Sequence, residues 1–209
     1  LAAGSEGDAV RVVASLEHAG EGALSPFTHG RYREAARAAW ERGAALLIAA
    51  PLASRLGWEG SRLWVHPHAA WALARILAQR TAPELPAAVV AEGSTIHPTA
   101  VLYPGVRIGR GVVVHAGAVL GRPGFGWAEG PDGERVAIPQ RGGVVVEDDV
   151  AIGPLCTVDG GTLRPTRIGR GVKLDAQVHV GHNVILGEGT VVAAQAGFAG
   201  SVVVGRNVL

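Results

Sequence analysis

The feature that most constrains the fold is an apolar residue that returns every six positions from Ile96 onward. A period of six matches neither a helix nor a plain alternating strand, but it fits a short strand followed by a tight corner. Three such hexads make an 18-residue triangular coil, so fifteen hexads predict five coils, about 24 Å tall at roughly 4.8 Å each. The fifteen positions are Ile96, Leu102, Ile108, Val114, Leu120, Val146, Ile152, Val158, Ile168, Leu174, Val180, Leu186, Val192, Phe198 and Val204.

The hexads predict a mainly β fold, a left-handed parallel β-helix over residues 96–209. The residue four places after each apolar position is small or β-branched in nearly every hexad. Gly often follows the apolar residue directly, as in Ile152-Gly153 and Val180-Gly181, and we expect these glycines at corners that need a positive φ. An all-β sandwich with coincidental spacing is the alternative.

Two interruptions of the repeat point to a binding surface. Between Leu120 and Val146 the chain inserts 20 residues beyond the repeat, and between Val158 and Ile168 it inserts four. The longer insertion, about residues 121–143, contains the sequence Phe-Gly-Trp at 125–127. Insertions in a coiled repeat project from one face and often line a cleft, so we expect this loop to be functional.

Residues 1–82 lack the repeat and predict a small α/β domain, joined to the β-helix by a linker at 83–95. Short apolar runs predict strands, whereas helical periodicity predicts two helices, the second with a proline in its first turn. We expect most of the tryptophans here to lie in the core. The predicted strands are Val10 to Leu16, Ala44 to Ala49 and Arg62 to Val65, and the predicted helices are Tyr32 to Trp40 and Pro67 to about Arg80.

Composition excludes several classes of protein. The formal net charge of +1 gives no basic field for nucleic acid. The apolar run at 44–50 is too short for a transmembrane segment. A single cysteine, Cys156, permits no internal disulfide, which fits a cytoplasmic protein. The chain begins at Leu1 and contains no Met, so we expect that its start is trimmed.

The motifs in and after the long insertion resemble those of the UDP-3-O-acylglucosamine N-acyltransferases of lipid A biosynthesis. They are Gly-Phe-Gly-Trp at 124–127, Ile-Pro-Gln at 138–140, the stretch 146–153, and Val-His-Val-Gly-His-Asn-Val at 178–184. The resemblance covers nearly the whole chain. It implies transfer of a 3-hydroxyacyl group from acyl carrier protein to the 2-amine of a UDP-sugar by a homotrimer, with no metal or cofactor. It also implies further coils, because the chain stops at Leu209 inside a hexad.

The resemblance implies a role for two groups of residues. His182 matches the general base, and imidazole with a pKa near 6.5 suits that task. Gly200 lies 18 residues later and matches the position whose N–H stabilises the oxyanion. Asp175 matches an acidic residue that could orient the imidazole. Tyr32 matches an aromatic that packs on uracil, and the other substrate-binding candidates are Phe27, Phe125, Trp127 and His179.

The chain departs from the family at several positions. Pro26 stands where an aromatic is usual, with Phe27 one place later, and His29 replaces an asparagine. The turn Asp159-Gly160-Gly161 lacks the expected arginine. Two other functions therefore stay open. One is a non-catalytic binder of sugar nucleotides, and the other is zinc-dependent hydration of carbon dioxide with His179 and His182 as two ligands.

Overall fold

The computed structural model describes residues 10–79 and 84–209, so the predicted domain boundary at 82–83, the end of the second predicted helix at Arg80 and residues 1–9 lie outside the described residues. The elements before residue 84 are β1 (Val12–Val13), β2 (Ala23–Phe27), a 3₁₀ turn (Gly30–Tyr32), α1 (Arg33–Glu41), β3 (Ala45–Ala49), α2 (Ala50–Leu56), β4 (Leu63–His66) and α3 (Ala69–Gln79). After it come β5 (Val89–Val90), β6 (Thr95–Ile96), β7 (Val101–Leu102), β8 (Val106–Ile108), β9 (Val113–Val114), β10 (Val119–Pro123), β11 (Trp127–Glu129), β12 (Arg135–Ala137), β13 (Val144–Val146), β14 (Ala151–Ile152), β15 (Thr157–Gly160), β16 (Thr166–Ile168), β17 (Lys173–Leu174), β18 (His179–Val180), β19 (Ile185–Leu186), β20 (Val191–Val192), β21 (Gly197–Phe198) and β22 (Val203–Val204).

The chain divides into two units, which we describe separately. One holds residues 10–79 with Trp127–Ile138, and the other holds residues 84–126 with Pro139–Leu209. In residues 10–79 and 84–209, no helix combines the length and the apolar character that a bilayer span requires.

The larger unit is a parallel β-helix, which confirms the predicted architecture. Each coil passes in turn through three sheets, which we call faces 1, 2 and 3. Face 1 contains β5, β8, β13, β16, β19 and β22; face 2 contains β6, β9, β14, β17 and β20; face 3 contains β7, β10, β15, β18 and β21.

The 18-residue register predicted from the hexads holds wherever the repeat is uninterrupted. His179 pairs with Gly197, and Lys173 pairs with Val191, each 18 positions apart. All fifteen predicted apolar residues lie on strands and belong to one core, with those of the end coils only partly buried. Stacked apolar side chains therefore fill the interior of every coil.

The insertions sit where the sequence places them. Across the first, Val106 pairs with Val144, 38 positions away, and across the second Val144 pairs with Thr166, 22 positions away. These spacings are 18 plus 20 and 18 plus 4. The β-helix begins earlier than Ile96, because β5 lies inside the segment predicted as a linker and pairs with β8. Within the long insertion, β11 and β12 form an antiparallel hairpin that belongs to the smaller unit.

The glycines that directly follow the apolar residue are required for space and not for positive φ, so the expectation for them is wrong. A β-carbon at Gly153 would lie 2.6 Å from the carbonyl carbon of Asp175. One at Gly181 would lie 2.9 Å from the Gly200 nitrogen. The positive φ falls two residues later in the hexad, and there it includes non-glycine residues such as Asn183 at 61°. The backbone of the next coil thus approaches too closely for a side chain.

The stacked interior predicts the cost of a cavity. Ile152 is 0% exposed, whereas Val191 on the same face is 44% exposed. We expect Ile152→Ala to lower the free energy of unfolding by roughly 2–5 kcal/mol, because truncation removes buried methyl groups and leaves a void. Val191→Ala should change it by less than about 1 kcal/mol. Chemical denaturation of the two variants measures both values, and equal effects would contradict this assignment of the interior.

The smaller unit is an α/β fold with a four-stranded parallel sheet in the order β1-β2-β3-β4. The predicted buried strand corresponds to β3, and the predicted helices correspond to α1 and α3. Two elements were not predicted. Pro26 conceals β2, since proline is depleted in strands. Pro51 lies in the first turn of α2, where its missing N–H costs nothing, and that helix ends at Gly57 with φ of 62°.

The tryptophans of the smaller unit are half-buried. Trp40 and Trp58 pack against its core, as expected. Trp71 on α3 stacks on His66 with 5.8 Å between ring centroids, and its Nε1–H donates to Glu134 Oε1 at 2.9 Å. This hydrogen bond ties the β11–β12 hairpin to α3.

Candidate active site

The chemistry-bearing residues gather along one edge of the β-helix, the corner that follows face 3 in each coil. We call this the site edge and define it by residues 121–126, 159–162, 181–183 and 199–201. His182 lies in the third of these segments, between β18 and β19, and is half-buried. Because each coil repeats the corner above the previous one, side chains far apart in sequence meet here.

Asn183 fixes the proton on the His182 imidazole. Asn183 Oδ1 accepts the Thr162 backbone N–H at 3.1 Å, and its Nδ2 donates to the Arg164 carbonyl at 3.0 Å, which sets the orientation of the amide. The same Oδ1 lies 3.1 Å from His182 Nδ1. Since an amide oxygen can only accept, Nδ1 carries the proton. In the neutral ring, Nε2 therefore holds the free lone pair.

Gly200 lies against the Nε2 side of this imidazole, one coil further along. A β-carbon built on Gly200 would be 2.5 Å from His182 Nε2 and 2.7 Å from Cε1. In the coil it is tied to the His182 turn through the Ser201 N–H, which donates to the His182 carbonyl at 2.8 Å. Among the described residues no acceptor binds the Gly200 N–H, and the residue is exposed. A bare amide and a ring nitrogen thus share one crevice.

Gly124 covers the His182 side chain from the long insertion. A β-carbon at Gly124 would lie 2.7 Å from His182 Cβ and 3.3 Å from Cγ. The backbone here turns sharply, with the Gly126 N–H donating to the Gly124 carbonyl at 2.9 Å. The imidazole is therefore confined between two glycines, and neither position leaves room for a side chain.

Asp159 places a buried carboxylate beside the imidazole. Its side chain is 1% exposed, and Arg122 Nε lies 3.0 Å from its Oδ1. Burial raises the pKa of the Asp159 carboxyl, while Arg122, His179, a hydrogen bond from the Phe125 backbone N–H and His182 act in the opposite direction. The expected arginine is missing from the turn after Asp159, and the guanidinium comes instead from Arg122.

His179 lies on face 3 next to this carboxylate. Its Nδ1 is 2.7 Å from Thr157 Oγ1, and its Nε2 is 3.9 Å from Asp159 Oδ2. Thr157 and His179 are paired on neighbouring strands, so the contact follows from the register. The structure thus brings His179 to the site edge together with His182 and Gly200.

Asp175 is on another corner. It follows β17 on face 2, so one face of the β-helix separates it from the corner that holds His182. Its Oδ1 accepts the Ala176 N–H at 2.7 Å, and the hydrogen bond to the imidazole comes from Asn183. Within this chain, the structure does not bring Asp175 to the base. Cys156, whose Sγ–H donates to the Asp175 carbonyl, is buried, and burial raises the pKa of its thiol.

The predicted aromatic contacts divide into buried and exposed residues. Phe27 is 0% exposed and packs on Trp58 with 5.7 Å between centroids, so it is a core residue with no free face for a ligand. Tyr32 is half-buried at the end of the 3₁₀ turn, with the Arg31 guanidinium 4.8 Å from its ring centroid. Phe125, at the site edge, is 80% exposed, and Trp127 on β11 is 53% exposed.

The smaller unit has a cavity of about 270 Å³ on its own surface. It is lined by Arg37, Trp40, Glu41, Trp58 and Glu59. Two carboxylates disfavour the pyrophosphate of a sugar nucleotide, so we do not assign such a ligand to this cavity.

Sequence reasoning missed Asp159, Arg122 and the role of Asn183. The four-residue insertion hid Asp159, because only after removing it does Asp159 fall one coil before Gly181, next to His182. Arg122 was hidden in the same way by the longer insertion. Among residues 10–79 and 84–209, no group of three or more His, Cys, Asp or Glu side chains could hold a metal ion.

The fold and repeat define the class as a hexapeptide-repeat protein with a left-handed parallel β-helix. The bacterial transferase hexapeptide family (six repeats) matches residues 87–122 and 165–200. Both matched segments lie within the larger unit.

Curated relatives confirm the resemblance seen in the motifs. The UDP-3-O-acylglucosamine N-acyltransferase of Bordetella pertussis is 48% identical over 116 residues, 54% of this chain and 32% of the relative. That of Wolinella succinogenes is 44% identical over 114 residues, 54% of this chain and 36% of the relative. That of Coxiella burnetii strain Dugway is 48% identical over 106 residues, 51% and 31%. The chain thus spans about a third of the length of the curated relatives it matches.

Proposed function

We propose that this chain carries the active-site part of an N-acyltransferase that moves a 3-hydroxyacyl group from acyl carrier protein to the 2-amine of a UDP-3-O-acylglucosamine in lipid A biosynthesis. The observation that carries the proposal is the site edge. There an imidazole with its proton fixed on Nδ1 directs Nε2 toward the bare N–H of Gly200. The names of the relatives support the substrate class.

The geometry suits attack of an amine on a thioester. His182 Nε2 takes a proton from the sugar amine as its nitrogen forms a bond to the thioester carbonyl carbon. The Gly200 N–H stabilises the negative oxygen of the tetrahedral intermediate. When the carbon–sulfur bond breaks, the imidazolium returns the proton to the departing sulfur, which leaves as the thiol of the carrier protein. Asn183 keeps the ring in the required tautomer throughout.

Substrate contacts are proposed for exposed side chains near or outside the site edge. Phe125 offers an open aromatic face, and His179 is partly exposed, so both are available to a sugar or acyl group. Tyr32 and Trp127 are proposed to contact the uridine, as the resemblance implies. The buried Phe27 is not retained.

We also propose a cytoplasmic homotrimer. Outward-facing valines on the β-helix are exposed, and their burial between copies would remove apolar area from water. The free, buried Cys156 is compatible with a reducing compartment. The exposed valines are Val89, Val101, Val113, Val191 and Val203.

The test is an acyl-transfer assay with the purified 209-residue chain. We expect incubation with 3-hydroxyacyl carrier protein and UDP-3-O-acylglucosamine to yield the N-acylated sugar nucleotide, detected by mass spectrometry together with free carrier-protein thiol. Thioesters of several lengths should differ in rate. Binding of the UDP-sugar without any product would favour the non-catalytic binder instead.

A further inference from the structure

We propose that Asp159 is a positioning residue of the site edge: its buried carboxylate holds Arg122 and the Phe125 amide, and thereby keeps the Gly124 backbone against His182. The inference rests on the proposed function, because it assigns Asp159 a part in acyl transfer. It concerns a residue that touches neither His182 Nε2 nor the Gly200 N–H.

The first step of the argument is the anchoring of residues 122–126. Arg122 Nε meets Asp159 Oδ1 at 3.0 Å, and the Phe125 backbone N–H donates to the same carboxyl group. Arg122 also pairs with Asp159 in the register of β10 and β15, beyond an irregularity between Leu120 and Arg122. The two anchors flank Gly124 on either side in sequence. A segment fixed at both flanks presents Gly124 to His182 in one position.

The second step is the tight fit between that segment and the imidazole. The Gly124 backbone approaches so closely that a β-carbon there would be 2.7 Å from His182 Cβ. Movement of residues 122–126 away from Asp159 would open one wall of the crevice and free the ring to rotate. A misplacement of about 1 Å at a reacting group can cost roughly 100-fold in rate.

The third step is that the fold gains little from this charge. Burial raises the pKa of the Asp159 carboxyl despite the opposing charge of Arg122 and the nearby His179 and His182. A carboxyl whose pKa is raised in the folded state contributes stability that is present below its unfolded pKa and lost as the pH rises through the folded pKa. At neutral pH the ionised Asp159 therefore costs stability. A costly buried charge at a reactive edge indicates a functional role.

The experiment is a double-mutant cycle on the ion pair, with Asp159→Asn, Arg122→Gln and the double variant of the 209-residue chain. Asp159→Asn should lower kcat about tenfold or more, with an unchanged or higher unfolding temperature at pH 7. Arg122→Gln should lower the unfolding temperature, because it leaves Asp159 charged without its partner. The double variant should regain stability but not kcat.

Asp148→Asn is the matched control. Asp148 also pairs with arginines, Arg110 and Arg170, but on the corner after face 1. The hydrogen bond from the Arg110 backbone N–H lowers the pKa of the Asp148 carboxyl, so its stabilising contribution is present at neutral pH and is lost as the pH falls. We expect this variant to lose a little stability and keep its kcat.

Crystal structures of the wild-type and Asp159→Asn chains separate this inference from the proposed function. Residues 122–126 should move away from His182 in the variant, a result that needs no activity. If these residues stay in place, or if kcat follows stability through the whole cycle, Asp159 is only a structural residue. If the wild-type chain transfers no acyl group, the proposed function fails and the crystallographic comparison still decides the positioning role.

Discussion

Replacement of His182 by alanine should reduce N-acyl transfer by about 10²–10⁴-fold, the usual contribution of a general base. Without the imidazole, no group in the described residues at this position can take the proton that the amine loses on attack. The side chain is half-buried at a corner and not part of the interior core, so the fold should persist. Initial rates by mass spectrometry and thermal unfolding by circular dichroism measure the two effects.

His115→Ala provides the control for this prediction. His115 is also an exposed histidine at a hexad corner, but it follows β9 on face 2, away from the site edge. Its loss should leave the rate within about twofold of wild type. Substantial turnover by the His182→Ala variant would remove His182 from the role of base.

Gly200→Ala should lower the rate about 100-fold, although it adds only one methyl group. The new β-carbon would lie 2.5 Å from His182 Nε2, so the imidazole must move out of its place. A shift of this size displaces the proton acceptor from the amine and blocks the approach to the Gly200 N–H. Because an exposed ring can rotate away cheaply, the unfolding temperature should change little. Steady-state kinetics together with thermal melting test this separation.

Gly197→Ala distinguishes crowding at the imidazole from a general effect of alanine in this coil. Gly197 lies three residues earlier on β21, and a β-carbon there meets nothing within 4 Å. Neither glycine has a positive φ, so alanine strains neither backbone. We expect the Gly197→Ala variant to be fully active. Equal losses in both variants would show that the steric argument at Gly200 is incorrect.

Both predictions depend on a register that the sequence displays directly. The interval of 18 residues between His182 and Gly200 is three hexads, and the paired strands β18 and β21 place the two residues on one corner. A periodic fold makes such distances countable, because each coil repeats the same geometry. That is why this part of the site could be predicted without coordinates.

The residues that sequence reasoning missed are those where counting fails. Arg122 follows an irregularity in the strand pairing, and Asp159 precedes an insertion, so neither position can be reached by steps of six. Asp175 shows the opposite error, since a likeness of motif suggested a contact with the base. Its position after face 2 places it one corner away. Phe27 was misassigned because an aromatic in a short β-strand can face either the core or the solvent.

The sequence by itself determined the coil, its interior and the stacking of Gly200 near His182, because a fixed period translates directly into fixed spatial intervals. Only the tertiary structure decided which groups surround the imidazole. The Asn183 amide selects its tautomer, Gly124 confines it, and Asp159 anchors the segment that carries Gly124. These contacts join coils through inserted segments whose paths no local pattern specifies, so they depend on packing in three dimensions.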